Sequence, residues 1–307
     1  MNRAMLGLVI LALGLACPIG AQAPPAAGTR PADILRRQFD TRLQEIAGTV
    51  DGIASYTIVD LTSGDRFARY PDVVLPTAST IKLAVLYELF KQADEGRVQL
   101  DAAMPLDRRL AVAGGPGLFY LGTPVLALRD YATMMVMLSD NTATNVLIRR
   151  LGMDAVGRRL TGLGLTRTRL RRLMLDLEAA RRGDENVSTA GEIAQLLEVF
   201  FRGGGLTPKS RDEALAMLKV EKGDLTPLQR GLPDGVEAAC KPGELEGVRV
   251  DAGIVFARNR PYVFSMMTSY LEDDERGESA IEEASRAAYQ FFFRLGAGTD
   301  YGRLIGR

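Results

Sequence analysis

Ser79 and Lys82 stand three residues apart where a loop should enter the helical run Leu83 to Phe90, so hydroxyl and amine share one helical face and can meet. A serine there feels the positive end of the helix dipole. A lysine partly desolvated beside another cation can be neutral enough to take the serine's proton, which is the chemistry of an activated nucleophile. Sixty residues on, Ser139-Asp140-Asn141 follows the apolar run Tyr131 to Leu138 and leads into Thr142 to Leu151. Its hydroxyl can shuttle a proton, and its amide can hold substrate or Lys82. Another 102 residues on, Lys241-Pro242-Gly243 precedes the late strands, where a lysine on an edge strand places positive charge at a cleft. Taken singly, each motif has a plainer reading: a capping serine with a surface lysine, an N-cap cluster, and a turn with a solvated lysine.

Composition narrows the chemistry. The chain has 307 residues, 47% hydrophobic and 25% charged, and no His. Ser-His-Asp and Cys-His relays are therefore impossible, and the commonest zinc ligand is missing. A base acting on an electrophilic carbonyl must be Lys, Asp, Glu or Tyr. Lys plus Arg and Asp plus Glu both number 38, so no global positive field suggests nucleic acid or an anionic membrane as partner. The sequence holds no metal-ligand cluster and no phosphate-binding glycine loop, so neither metal nor organic cofactor is expected.

The first residues read Met-Asn-Arg, then apolar Met5 to Ala16, then small residues through Ala21-Gln22-Ala23, the pattern of a cleaved signal peptide over residues 1–23. The apolar core is shorter than the ~20 residues that span a bilayer, so no membrane span is expected to be retained. A periplasmic or secreted location follows, with a lipid anchor at Cys17 as the minor alternative. The mature chain then keeps only Cys240, read as a small buried apolar residue.

The elements that must position the three motifs follow from periodicity. Residues 24–31 form a Pro/Ala/Gly-rich tether, and Ile34, Leu35, Phe39, Leu43 and Ile46 recur at helical spacing. Ile53 to Leu61 and Arg66 to Tyr70 read as a hairpin, residues 81–218 are mainly helical, and strands return at Val248 to Ala257 and Tyr262 to Tyr270. An amphipathic helix from Glu278 to Leu295 closes the chain. The expected fold is an α/β (α+β) sandwich forming a single domain over residues 32–307. One lobe, 32–75 and 235–300, carries an antiparallel sheet built from both chain ends and flanked by the terminal helices; the other, 76–234, is all helical. The cleft between them is the expected site.

Ser-x-x-Lys, Ser-Asp-Asn and Lys-x-Gly in this order and spacing resemble the motif set of class A β-lactamases and penicillin-binding proteins, over Ile34 to Leu295. The resemblance implies a monomeric serine hydrolase that opens a β-lactam amide through an acyl-serine, with a peptidase, an esterase or a slowly deacylating penicillin-binding protein of the same fold as alternatives. By resemblance, Ser79 is the nucleophile, Lys82 its base, Ser139 the shuttle to the leaving nitrogen and Asn141 a substrate contact, while Asp140 is structural. Lys241 supplies positive potential, and the backbone N–H groups of Ser79 and Glu244, the latter following Gly243, form the oxyanion hole.

Two departures matter. Pro242 replaces the family's Thr and removes a hydroxyl that helps bind the substrate carboxylate, with Arg249 as a candidate replacement. On the expected Ω-loop, Arg169 to Thr189, Met174 falls where the deacylating acid belongs. Asp176 and Glu178 lie two and four residues further on and are the candidate bases; both have salt bridges to Arg171, Arg172, Arg181 or Arg182 as their alternative role.

Overall fold

The computed structural model describes residues 30–113, 117–220, 222 and 224–305. The proposed signal peptide lies outside them, and no helix of the described residues is long and apolar enough to cross a membrane. In chain order come α1 (Pro31–Ala47), β1 (Ile53–Asp60), β2 (Arg66–Arg69), β3 (Leu75–Pro76) and a 3₁₀ turn, Ala78–Ile81, that runs into α2 (Lys82–Asp94). Next are β4 (Ala103–Pro105), β5 (Val125–Ala127), α3 (Leu128–Met137), α4 (Asn141–Leu151), α5 (Met153–Gly162), α6 (Leu177–Arg181), β6 (Val187–Ser188), α7 (Ala190–Arg202) and α8 (Pro208–Lys219). The chain returns through α9 (Pro227–Arg230), β7 (Ala238–Leu245), β8 (Val248–Val255), β9 (Tyr262–Ser269) and α10 (Asp274–Ala297).

β1 from the start of the chain pairs antiparallel with β9 from its end, giving a five-stranded sheet in the order β2-β1-β9-β8-β7. Both faces are covered, which is why β9 is buried at every position rather than alternating. On one face α1 and α10 pack through stacked rings, Phe39 on Phe291 and Tyr262 on Phe292, each pair with centroids 4.3 Å apart. The other face, with Val250, Ala252 and Ile254, meets the helical core of Leu83, Leu86, Phe90, Val146 and Leu197.

Lys241-Pro242-Gly243 lies within β7, an edge strand ahead of β8 and β9, and not in the turn of its plainer reading. Proline is tolerated because β7 is the sheet edge. The terminal helix begins at Asp274, capped by the Asp273 carboxylate, which accepts from Glu275 N at 3.0 Å. Its acidic first turn suits the helix dipole, although apolar periodicity starts only further on.

Candidate active site

Ser79 sits in the 3₁₀ turn, partly exposed, directly after Ala78, whose φ of 46° holds the backbone in the left-handed region. α2 starts at Lys82, placing its amine at the buried junction of the two lobes. Lys82 Nζ lies 2.6 Å from Ser139 O, 3.0 Å from Ser139 Oγ and 2.9 Å from Asn141 Oδ1. Lys241 Nζ donates to the same Ser139 Oγ at 3.0 Å and to Pro242 O at 3.0 Å. Burial first, and then the charge of Lys241, hold the Lys82 amine well below its ordinary pKa. A neutral amine has two N–H donors and one lone pair, so it can serve two of its oxygen neighbours and still accept a proton. Burial also lowers Lys241, to about 8, with Lys222 pushing the same way and Asp251 opposing.

The loop that presents Ser139 is held from beneath. Asp140, buried, accepts from Ala143 N at 2.7 Å and from Leu118 N at 2.9 Å, so it caps α4 and ties down a neighbouring turn. Ser139 itself has φ 54°. The Asp140 cap fixes where α4 begins, and thereby where Asn141 points toward Lys82.

Gly243 explains the approach of β7 to the nucleophile. A Cβ there would lie 2.7 Å from Thr77 O and 2.9 Å from Ser79 N, so only glycine lets the strand come this close. Thr80 Oγ1 donates to Lys241 O at 3.3 Å, joining the turn to the strand. Pro242 has no N–H and so belongs to a non-hydrogen-bonded pair with Asp251; by alternation Glu244, two residues on, also turns its N–H away from β8, to the open edge beside Ser79. The Glu244 side chain is exposed. Arg249, opposite Glu244 in register, lies on the sheet face turned to α10. There it pairs with Glu278 and Asp274, each at 3.0 Å, and donates to Leu245 O and Val248 O. The structure does not bring it into the Lys82–Ser139–Lys241 cluster.

The Ω-loop is closed at its neck by paired backbone bonds between Arg169 and Val187, at 2.8 and 3.1 Å. Within it, Met174 is buried and its backbone is gripped by Asn145 of α4. Met174 N donates to Asn145 Oδ1 at 2.7 Å, and Asn145 Nδ2 reaches Met174 O at 3.3 Å. Asp176 caps α6, accepting from Ala179 N at 2.9 Å, and Glu178 is exposed in the first turn of α6. Among the described residues neither pairs with the loop arginines: Arg172 pairs with Glu185 at 2.6 Å and Arg182 with Asp184 at 3.7 Å.

Three contributors escaped the sequence reading. Asn145 follows Asn141 by four residues, one turn along α4, a spacing that signals a shared face. Lys222 and Asp251 act on Lys241 from behind β7 and carry no local signal at all. Lys222 Nζ donates to Leu218 O at 3.0 Å, past the end of α8, and Asp251 accepts from Leu228 N at 2.9 Å. Cys240 is buried beside Thr226, its thiol pushed up to about 11 chiefly by burial.

The sequence pattern of the β-lactamase enzyme family matches residues 38–292. β-Lactamase AST-1 of Nocardia asteroides is 26% identical over 288 residues, 92% of each chain. A β-lactamase of Amycolatopsis lactamdurans is 29% identical over 275 residues, 87% of this chain and 88% of its own. Among solved structures, PBP-A matches with a TM-score of 0.76 and 31% identity, over 82% of this chain and 95% of its own. An ancestral class A β-lactamase matches with a TM-score of 0.76 at 24% identity, over 82% and 99%, and bears on the fold alone. The chain belongs to the β-lactamase enzyme family and is related to its class A members.

Proposed function

We propose that this protein is an exported, monomeric serine hydrolase that opens the β-lactam amide through an acyl-Ser79 intermediate. The observation that carries the reading is the convergence of Lys82 Nζ and Lys241 Nζ on one Ser139 hydroxyl, with Ser79 three residues before Lys82 and packed against Gly243 of β7. In the acylation step, neutral Lys82 takes the Ser79 proton as Oγ bonds to the carbonyl carbon. The N–H groups of Ser79 and Glu244 receive the developing oxyanion. The C–N bond then breaks as Ser139 gives its proton to the leaving nitrogen and recovers one from Lys82. Lys241 keeps positive charge where the substrate carboxylate binds, and Asn141 holds the substrate side-chain amide.

For deacylation, Glu178 and Asp176 are the candidate acids on the loop, Glu178 favoured because its side chain is longer and is not engaged as a cap. Relatives lend support in both directions. An imipenem-hydrolysing β-lactamase of Enterobacter cloacae is 26% identical over 237 residues, 75% of this chain. A mutant of PBP-A, 31% identical, has been solved as an acyl-enzyme with penicillin G. A second reading, a penicillin-binding protein that deacylates slowly, is favoured by Met174 at the place of the expected acid.

The experiment is to mix mature protein with a chromogenic cephalosporin, following absorbance and intact mass together. Sustained turnover supports the hydrolase. A single-equivalent burst with a lasting adduct supports the slow acyl-enzyme, and neither burst nor adduct removes β-lactams as substrates.

A further inference from the structure

At the far end of α2 from Ser79 a surface cavity of about 420 Å³ opens over Glu88, between α2 and α5. Glu88 is 1% exposed and accepts three bonds, from Gln92 Nε2 at 2.8 Å and Arg97 Nη2 at 3.3 Å on one oxygen and from Arg159 Nε at 2.8 Å on the other, while Arg97 Nε donates to Glu95 at 2.9 Å. Arg159 also reaches Glu95 at 2.8 Å. These bonds employ Nε and Nη2 of both guanidiniums, so among the described residues Nη1 of each remains without a protein acceptor. Arg158, exposed on the cavity wall, forms no ion pair among the described residues, and Lys91 Nζ sits across the opening, bonded to Gly205 O at 2.7 Å. Lys91 also pairs with Glu95 at 3.7 Å and lies near Asp94, so the positive charge left over is carried chiefly by Arg158 and the two Nη1 groups, while Glu88 and Glu95 hold two of the guanidiniums in fixed orientation.

We propose that this cavity is a second binding site, remote from Ser79, for a small phosphoryl oxyanion such as a phosphate monoester or pyrophosphate. Arg158 and the Nη1 groups of Arg97 and Arg159 offer charge-assisted donors at one opening, and guanidiniums already held by carboxylates are preorganised to meet a tetrahedral oxyanion. The site bears on the catalytic end of the molecule through two helices. Glu88 belongs to α2, which begins at Lys82; its partner Gln92 donates at 3.0 Å to the carbonyl of Leu151, the last residue of α4, which begins at Asn141. The helices that deliver Lys82 and Asn141 are therefore pinned together at the floor of this cavity.

The test is calorimetric titration of the mature protein with inorganic pyrophosphate at constant ionic strength, beside inorganic phosphate and succinate. Arg158→Gln and Lys91→Gln serve as variants, both surface changes checked for unchanged circular dichroism. The expected result is saturable binding of pyrophosphate, weaker by about tenfold in either variant, as loss of one charge-assisted contact implies. Heat without saturation, equal affinity for succinate, or unchanged affinity in both variants overturns the proposal. Binding is read directly, so the outcome does not depend on whether the protein turns over β-lactams.

Discussion

Lys82 and Lys241 donate to the same hydroxyl, each Nζ lying 3.0 Å from Ser139 Oγ. Two buried ammonium groups so close repel strongly, and the protein resolves the conflict by inequality. Lys82, enclosed and facing Lys241, is held well below its ordinary pKa, while Lys241 falls only to about 8. At neutral pH one lysine is suited to accept a proton and the other to carry charge.

This division predicts the alkaline limb of the reaction. Lys241 is charged below its folded pKa and loses that charge as pH rises through about 8, so kcat/KM for an anionic cephalosporin should fall there. Lys241→Arg, which stays charged, should carry the limb to higher pH, whatever it does to the absolute rate. A limb that stays near 8 in that variant would assign it to another group.

Ser79→Ala should abolish both turnover and covalent labelling by penicillin, read by intact mass. Persistence of an adduct would place the nucleophile elsewhere.

The Ω-loop separates the two kinetic readings. If Glu178 is the deacylating base, Glu178→Gln should let an acyl adduct accumulate and slow turnover by about 10²–10⁴-fold, the usual worth of general-base help. Asp176→Asn should change the rate much less, because its carboxylate caps α6. If instead the wild type stalls as an acyl-enzyme, Met174→Glu should release it, because Asn145 fixes that backbone position. Mass spectra after a single-turnover mix decide between these outcomes.

Asn145→Ala should cost about 2–4 kcal/mol in urea unfolding, because the Met174 N–H and carbonyl lose their partner in a buried setting. Faster hydrogen exchange confined to 169–187 would be the accompanying sign of a loosened loop. Unchanged exchange there would mean that the neck bonds between Arg169 and Val187 suffice.

Asp251 offers a pH-dependent stability test. Burial raises its carboxyl to about 6 from 3.8, so the unfolded chain ionises more readily than the folded one. The stability this group contributes is present in full below the unfolded pKa and is lost as pH rises through about 6. Asp251→Asn, which keeps an acceptor for Leu228 N, should therefore gain on wild type between pH 4 and 8, by roughly 2–3 kcal/mol. The same variant should lower the alkaline limb, since it removes a charge that supports protonated Lys241. Parallel stability curves at the two pH values would contradict the assignment.

Much of the protein was legible in its residues. The absence of His excluded the common relays, the three motifs named the chemistry, and apolar periodicity placed α1, α2, α4, β1 and β9, because helix and strand patterning is a local property of the chain. The family resemblance, in turn, put Met174 on the Ω-loop with Asp176 and Glu178 as the acids that follow it. What it could not supply were relationships across long separations. Ser139 meets Lys82 over 57 residues and Lys241 over 102, and those distances close only when β1 pairs with β9 and the helical lobe packs on the sheet. Tertiary structure alone turned Asp176 into a helix cap, sent Arg249 to the acids of α10, gave Met174 its Asn145 clamp, and set Lys222 and Asp251 behind Lys241. A side chain's partners and the dielectric around its charge are properties of the packed state, and no spacing in the chain encodes them.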